Sequence, residues 1–123
     1  MANDPKLDDF LEAVEIVNAH LDSVVAPEYA AQPLAHMIMR VTKVCEEAGE
    51  VWQALSKWTG ENPRKGACGT KSELLGELGD TASAAICAIQ HLTGDSAATW
   101  AVVSAALAKA RQRVADHASA GCL

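Results

Sequence analysis

Proline and glycine divide this chain into four long segments that have helical periodicity. Pro33 can open a helix, and Gly60 and Gly94 each follow a run of regularly spaced apolar residues, as helix-ending glycines do. Within the segments, apolar residues recur every three or four positions, as Leu7 and Leu11 do at the start of the chain. The pattern predicts an all-α protein with four main helices.

Capping residues set the expected helix boundaries. The segment APEYAAQP interrupts the pattern after the first helix, and GENPRKGACGT should be an exposed loop because its Asn-Pro step disfavours helix. The predicted helices run from Pro5, capped by Asp4, to about Val25; from Pro33 through Trp58; from the capping box of Thr70 and Glu73 to about Thr93; and from Asp95 to about Ala118.

Composition limits the class of protein. A length of 123 residues predicts a single domain over residues 1–123, and 50% hydrophobic but only 4% aromatic residues suit close-packed helices. A net charge of -6 argues against a nucleic-acid polymer as partner. The four cysteines form no C-x-x-C pair, and no apolar run approaches the roughly 18 residues of a membrane span. We expect a cytoplasmic protein with reduced thiols and no membrane contact.

Two of the predicted helices carry matched acidic pairs, Glu47 with Glu50 and Glu77 with Asp80. At 100° per residue, each pair shares one stripe of its helix, and an apolar stripe lies about 100° away. Both pairs also stand roughly 9–12 Å from the loop between the helices, at 1.5 Å rise per residue. The two pairs are therefore expected to lie level and to face one another.

Four carboxylates held at the border of a core repel each other and lose hydration, which is costly unless a cation joins them. Oxygen-only ligands favour Mg²⁺, or Mn²⁺, over zinc or copper, and leave coordination positions for water and phosphate oxygens. A ferritin-like di-iron site would need Glu-x-x-His on two helices, and the sequence contains no Glu-x-x-His. The acidic pairs predict a magnesium site that serves phosphate chemistry.

The run Lys43-Val-Cys-Glu46-Glu47-Ala-Gly-Glu50, followed by Glu77-Leu-Gly-Asp80, resembles the E-E-x-x-E … E-x-x-D signature of MazG-like nucleotide pyrophosphohydrolases. The stretch KWTGENPRKG is also similar to the loop of small members of that family, and the resemblance covers about residues 40–93. It implies a four-helix fold and hydrolysis of a nucleoside triphosphate, usually a deoxynucleotide or a damaged one, to the monophosphate and pyrophosphate. Such an activity would serve nucleotide-pool control or house-cleaning.

Carried onto this sequence, the resemblance implies roles for particular residues. The Mg²⁺ ligands would be Glu47, Glu50, Glu77 and Asp80. The catalytic residues would be Glu46 and Glu47, and Glu46 would orient or deprotonate the attacking water. An exposed acidic residue on a helix is nearly as good an interpretation of Glu46. Candidate substrate-binding residues are the cations Lys43, Lys57, Arg64, Lys65, Lys109 and Arg113, together with Trp58 for stacking on the base.

Other residues and other functions stay open. Trp52 should point to the core or to a partner chain, and His36 and His91 lie on the acidic stripes, where each is either a substrate contact or an ordinary histidine. Ala-rich hairpins bury little per chain, so we expect a homodimer or a larger homo-oligomeric bundle. The alternatives are a non-catalytic helical-bundle interaction protein and a phosphoribosyl-ATP pyrophosphohydrolase-like enzyme.

Overall fold

The computed structural model describes residues 5–121, and every regular element in that range is an α-helix. The all-α prediction is confirmed, and the four long helices begin and end within one or two residues of their expected positions. The N-cap predicted at Asp4 lies outside the described residues. The helices are α1 (Pro5–Val24), α2 (Pro27–Ala30), α3 (Pro33–Thr59), α4 (Lys71–Thr93) and α5 (Ser96–Ser119).

The single turn α2 is the one described helix that the sequence did not predict. Pro27 occupies its first position, where a missing N–H costs nothing, and Ala30 N–H donates to the Ala26 carbonyl at 3.0 Å. Pro33 then opens α3 and cannot extend the preceding turn. The interruption between α1 and α3 is therefore a corner built from one helical turn.

The predicted caps form as expected. Gly60 and Gly94 end α3 and α4 with φ of 75° and 69°, in the left-handed region that favours glycine. Thr70 Oγ1 accepts from Glu73 N at 3.1 Å, and Glu73 Oε2 accepts from Thr70 N at 2.9 Å, which completes the capping box. The Asp95 carboxylate accepts from the N–H three residues later, at 2.9 Å.

The loop between α3 and α4 folds back on the end of α3. The N–H groups of Cys68 and Gly69 both donate to the Lys57 carbonyl, at 3.0 and 3.1 Å. A Cβ atom at Gly69 would lie 2.8 Å from the Lys57 Cβ and 2.9 Å from the Trp58 nitrogen, so only glycine fits without displacing the backbone. This close approach starts α4 beside the end of α3, and the two helices form an antiparallel hairpin.

The hairpin is the most extensive helix pairing, and α1 and α5 pack against α4. Phe10 of α1 meets Trp100 of α5 edge to face, with ring centroids 5.6 Å apart. Thr99, which is fully buried at the start of α5, donates to Gln90 Oε1 of α4 at 2.6 Å. The buried apolar residues within the described part of the chain are few: Val14, Ala54, Cys87 and Ala88.

Residues 5–121 contain no helix that is both long enough and apolar enough to cross a membrane. The three described cysteines, Cys45, Cys68 and Cys87, are free thiols, of which Cys87 is buried. The fourth, Cys122, lies outside the described residues.

Candidate functional site

The hairpin brings the predicted metal ligands together. Carboxylate oxygens of Glu47, Glu77 and Asp80 all lie within 4.8 Å of one another. Glu50 adjoins them, since its carboxylate interacts with those of Glu47 and Glu77. We call Glu47, Glu50, Glu77 and Asp80 the carboxylate cluster. Its existence confirms that the two pairs are level, as the rise per residue predicted.

The burial of α3 differs from the sequence expectation. Helical periodicity predicts that the acidic stripe borders the core and that the apolar stripe, about 100° away, fills it; on α3 that stripe contains Met37, Val41, Val44, Ala48 and Leu55. Instead the buried residues of α3 are Arg40, Glu47 and Ala54, which are seven residues apart and belong to the acidic stripe itself. Val41 is 45% exposed. The acidic stripe faces α4, whereas the apolar stripe is divided: Val41 and Ala48 are exposed, and Met37, Val44 and Leu55 are half-buried.

Lys43 is the cation that sits on the carboxylate cluster. Its Nζ lies 2.5 Å from Glu47 Oε1 and 3.1 Å from Glu46 Oε1, as expected for partners one turn apart. These hydrogen bonds raise the pKa of Lys43, and the bond from Lys43 holds the pKa of Glu47 below its usual value. The charge of Glu47, followed by desolvation and by the proximity of Glu77, raises the pKa of Glu50. One lysine does not neutralise four carboxylates.

The donor set fits a hard divalent cation. All four side chains offer carboxylate oxygens, and three of them already lie within the span of one coordination sphere. The raised pKa of Glu50 reports the repulsion that a cation would remove. The residues present therefore suit Mg²⁺ or Mn²⁺.

A cavity of about 680 Å³ opens beside the carboxylate cluster. Its acidic end is lined by Lys43, Glu46, Glu47 and Asp80. Its walls are apolar and come from α1, the α1–α2 corner and α3: Val17, Leu21, Val24, Val25, Ile38 and Met39. A volume of several hundred Å³ with mostly apolar walls and a few convergent polar groups is typical of a small-molecule site.

A second polar cluster lies at the other end of the cavity and was not predicted as a unit. We call Asp22, His36, Arg40 and His91 the Arg40 cluster. Arg40 Nη2 is 2.6 Å from Asp22 Oδ1, and the Arg40 Nε–H donates to His36 Nε2 at 3.4 Å. The rings of His36 and His91 are in contact, with centroids 4.3 Å apart and planes tilted by 53°. His36 and Arg40 line the cavity.

The Arg40 cluster compensates its own charge. Asp22, His36 and His91 present ligand-type atoms within 4.8 Å of one another, but the guanidinium of Arg40 already occupies the Asp22 oxygen that a metal would use. Helical periodicity predicts that both histidines lie on the acidic stripes, but it does not predict that they meet. The i, i+4 spacing of His36 and Arg40 is the one sequence signal that could have predicted this cluster. Asp22 lies on α1, and no sequence pattern connects it to α3.

The remaining candidate residues lie away from the cavity. Lys57, Trp58, Arg64 and Lys65 are exposed at the loop end of the hairpin, beyond the carboxylate cluster. Lys109 and Arg113 are exposed on the second half of α5, where every described residue is exposed in the single chain. Lys43 is the predicted substrate-binding residue that lines the cavity, and the roles of the other six stay predictions.

Comparison of the chain with family models, with curated proteins and with solved structures finds no match. The MazG-like resemblance stays a prediction from the acidic motifs.

Proposed function

We propose that this protein is a MazG-like, Mg²⁺-dependent nucleoside triphosphate pyrophosphohydrolase, which releases a nucleoside monophosphate and pyrophosphate. The proposal rests on one observation, which is that the carboxylate cluster adjoins an apolar cavity. A metal site alone fits many functions, and an apolar cavity alone fits many ligands. A carboxylate cluster at one end of an apolar cavity that has room for a base and its sugar favours a ligand with phosphates at one end and a flat ring at the other.

The order of residues along α3 suggests how the substrate lies. The cavity covers the part of α3 between His36 and Glu47, so the base and sugar would occupy it. The α-phosphate would then lie at the carboxylate cluster. Lys57 follows Glu50 by seven residues, about 10 Å along the axis. The β- and γ-phosphates would therefore extend toward Lys57 and the loop cations Arg64 and Lys65, and away from the cavity.

The chain's own side chains would supply positioning and proton transfer. Glu46 lines the cavity mouth with its side chain 60% exposed, so it has access to water and can accept the proton of the attacking water. The new bond joins the water oxygen to the α-phosphorus, and the bond to the pyrophosphate oxygen breaks. The Lys43 ammonium can leave the Glu46 carboxylate and donate instead to a phosphate oxygen of the substrate. Bound Mg²⁺ would lower the pKa of water and neutralise the charge growing on the phosphates.

The test is product analysis with a panel of canonical and modified nucleoside triphosphates and Mg²⁺, run in ¹⁸O-labelled water. We expect monophosphate plus pyrophosphate, with the label in the monophosphate because water attacks the α-phosphorus. Diphosphate plus phosphate would contradict the reaction, and the absence of any product would favour the non-catalytic helical bundle. Turnover of phosphoribosyl-ATP alone would assign the other substrate class.

We also propose that a second copy of this chain covers the outer face of the hairpin. Exposed small or apolar residues recur along α3 at alternating steps of four and three, the spacing of a coiled-coil seam. They are Leu34, Ile38, Val41, Cys45, Ala48 and Trp52. On α4, Leu75 and Leu78 are also exposed and would continue the same face. Two such hairpins back to back form a four-helix bundle.

Trp52 and Ile38 give this assembly a sharp test. Trp52 is 60% exposed in the single chain, and Ile38 lies on both the seam and the cavity wall, so a second copy would also close the cavity. Trp52→Asp should shift the mass measured by light scattering from dimer to monomer, because it would place a charge in the seam. Glu12→Gln, on the exposed face of α1, is the control. A monomeric wild-type protein would contradict the assembly.

A further inference from the structure

We infer that Lys43 is the internal counter-ion of the carboxylate cluster, and that a divalent cation bound by this cluster displaces the Lys43 ammonium and frees it for a phosphate. The inference rests on the proposed function in taking the carboxylate cluster as the metal site. It adds a link between metal binding and phosphate binding. The same ammonium serves the carboxylates while no metal is bound and a phosphate once the metal is bound.

The Lys43 ammonium is paired with a carboxylate that the metal would use. Its Nζ lies 2.5 Å from Glu47 Oε1 and 3.1 Å from Glu46 Oε1, so it joins a buried carboxylate to an exposed one. Glu47 is also one of the three residues whose carboxylate oxygens lie within 4.8 Å of one another, with Glu77 and Asp80. A cation held by these three residues would therefore share Glu47 with Lys43.

The ammonium and a divalent cation compete for Glu47. Both are positive, and on one partly buried carboxylate they would lie a few ångströms apart, where like charges repel strongly. Lys43 is the group that can move, because its side chain is 50% exposed and ends in a flexible four-carbon stem. The Glu47 side chain is only 11% exposed and lies on the stripe that faces α4. Displacement of the ammonium is therefore the simplest way to relieve the repulsion.

The cavity gives the displaced ammonium a second use. Lys43 lines the acidic end of the cavity together with Glu46 and Glu47, so an ammonium that leaves Glu47 stays beside the place proposed for the α-phosphate. Lysine binds phosphate as a point charge, and phosphate oxygens also coordinate Mg²⁺. Metal and phosphate then favour the same position of Lys43. By linkage, each should raise the affinity of the protein for the other.

The first measurement is calorimetric titration of the full chain with Mn²⁺, without any nucleotide. Lys43→Met should bind Mn²⁺ about tenfold more tightly than wild-type protein, because no ammonium has to be displaced; residues just outside a ligand set commonly change metal affinity by this factor. Arg111→Met removes the same single positive charge from an exposed part of α5 and should keep the wild-type affinity. Circular dichroism checks that both variants are folded.

Equal Mn²⁺ affinity of wild-type protein and folded Lys43→Met would overturn the inference, because Lys43 would then be an ordinary exposed partner of Glu46 and Glu47. No binding of Mn²⁺ to either protein would overturn it together with the metal site. Failure of the proposed reaction is seen separately in the product analysis, since no hydrolysis is measured here.

The second measurement distinguishes displacement from repulsion by a lysine that stays on Glu47, and it uses wild-type protein alone. Nuclear magnetic relaxation of ¹⁵N reports the order of the Lys43 ammonium on the picosecond-to-nanosecond timescale. This order should fall when diamagnetic Mg²⁺ is added and rise again when inorganic phosphate follows. The exposed ammonium of Lys71, at the start of α4, is the control and should not respond to Mg²⁺.

Unchanged order of the Lys43 ammonium in the Mg²⁺-bound protein would overturn the inference, because the lysine would have stayed on its carboxylates. Order that falls with Mg²⁺ but is not restored by inorganic phosphate would overturn its second part, the transfer of Lys43 to a phosphate.

Discussion

At one end of the cavity four carboxylates share one lysine, whereas at the other end Asp22 is paired with Arg40 and flanked by two histidines. In the Arg40 cluster the Arg40 guanidinium and the Asp22 carboxylate meet at 2.6 Å, so their charges compensate each other. The carboxylate cluster retains an excess of negative charge that repels internally. The first cluster is therefore compensated by its own residues, whereas the second is the one whose charge a cation from solution would offset.

The largest expected effect is on catalysis. Glu50→Gln and Asp80→Asn each remove a ligand charge and almost no volume, so both variants should fold. Each should lose at least about a hundredfold in turnover, the upper end of what loss of an outer-shell partner costs a metal site. Steady-state release of pyrophosphate is the measurement.

The matched control for these two variants is Glu12→Gln, the same chemical change on an exposed part of α1. It should keep wild-type turnover. Retention of more than about a tenth of the activity in both Glu50→Gln and Asp80→Asn would contradict the assignment of the carboxylate cluster as a metal site, since loss of even an outer-shell partner costs about tenfold or more.

A smaller effect is expected on stability, and it should separate the two clusters. Mg²⁺ that binds only the folded wild-type protein should raise its melting temperature. At an Mg²⁺ concentration of a hundred times the dissociation constant, the free energy of unfolding should rise by about 2.7 kcal/mol. The shift should vanish in Asp80→Asn and persist in His91→Gln, because the Arg40 cluster already has its cation. Differential scanning calorimetry with and without metal measures both. A metal shift lost in His91→Gln but kept in Asp80→Asn would reverse the assignment.

Local sequence signals predicted the helices because each signal acts within a few residues. Two kinds of helix end depend on neighbouring residues alone and not on tertiary packing. They are the capping box of Thr70 and Glu73 and the C-terminal glycines Gly60 and Gly94. The turn α2 was missed because two prolines bracket it, and proline permits a helix start without requiring one. The heights of the acidic pairs were also predictable, since helical rise fixes distance from the loop.

Which face of α3 is buried was not predictable from the sequence. Periodicity shows that an apolar stripe exists, but Val41 and Trp52 are apolar whether they meet their own chain or another one. The same limit hid the Arg40 cluster. Asp22 reaches Arg40 across 18 positions of sequence, and a contact between separate helices leaves no periodic signal.

The smallest expected effect concerns His91 and the pH dependence of stability. Desolvation, with the charges of His36 and Arg40, lowers the pKa of His91 from 6.5, against the opposing attraction of Asp22. The unfolded chain therefore binds the proton at a higher pH than the folded protein does. Stability from this group is present above pH 6.5 and is lost as the pH falls below it.

His91→Gln should flatten that loss, which for one proton has a slope of at most about 1.4 kcal/mol per pH unit. Urea unfolding on both sides of pH 6.5 gives the slope, and His20→Gln, on an exposed part of α1, should leave it unchanged. Equal slopes in wild-type protein and His91→Gln would contradict a lowered pKa of His91, because an unshifted group does not change stability with pH. A steeper loss of stability in His91→Gln than in wild-type protein would mean that Asp22 holds His91 charged. The Arg40 cluster would then carry an extra positive charge, and its contrast with the carboxylate cluster would be one of sign rather than of compensation.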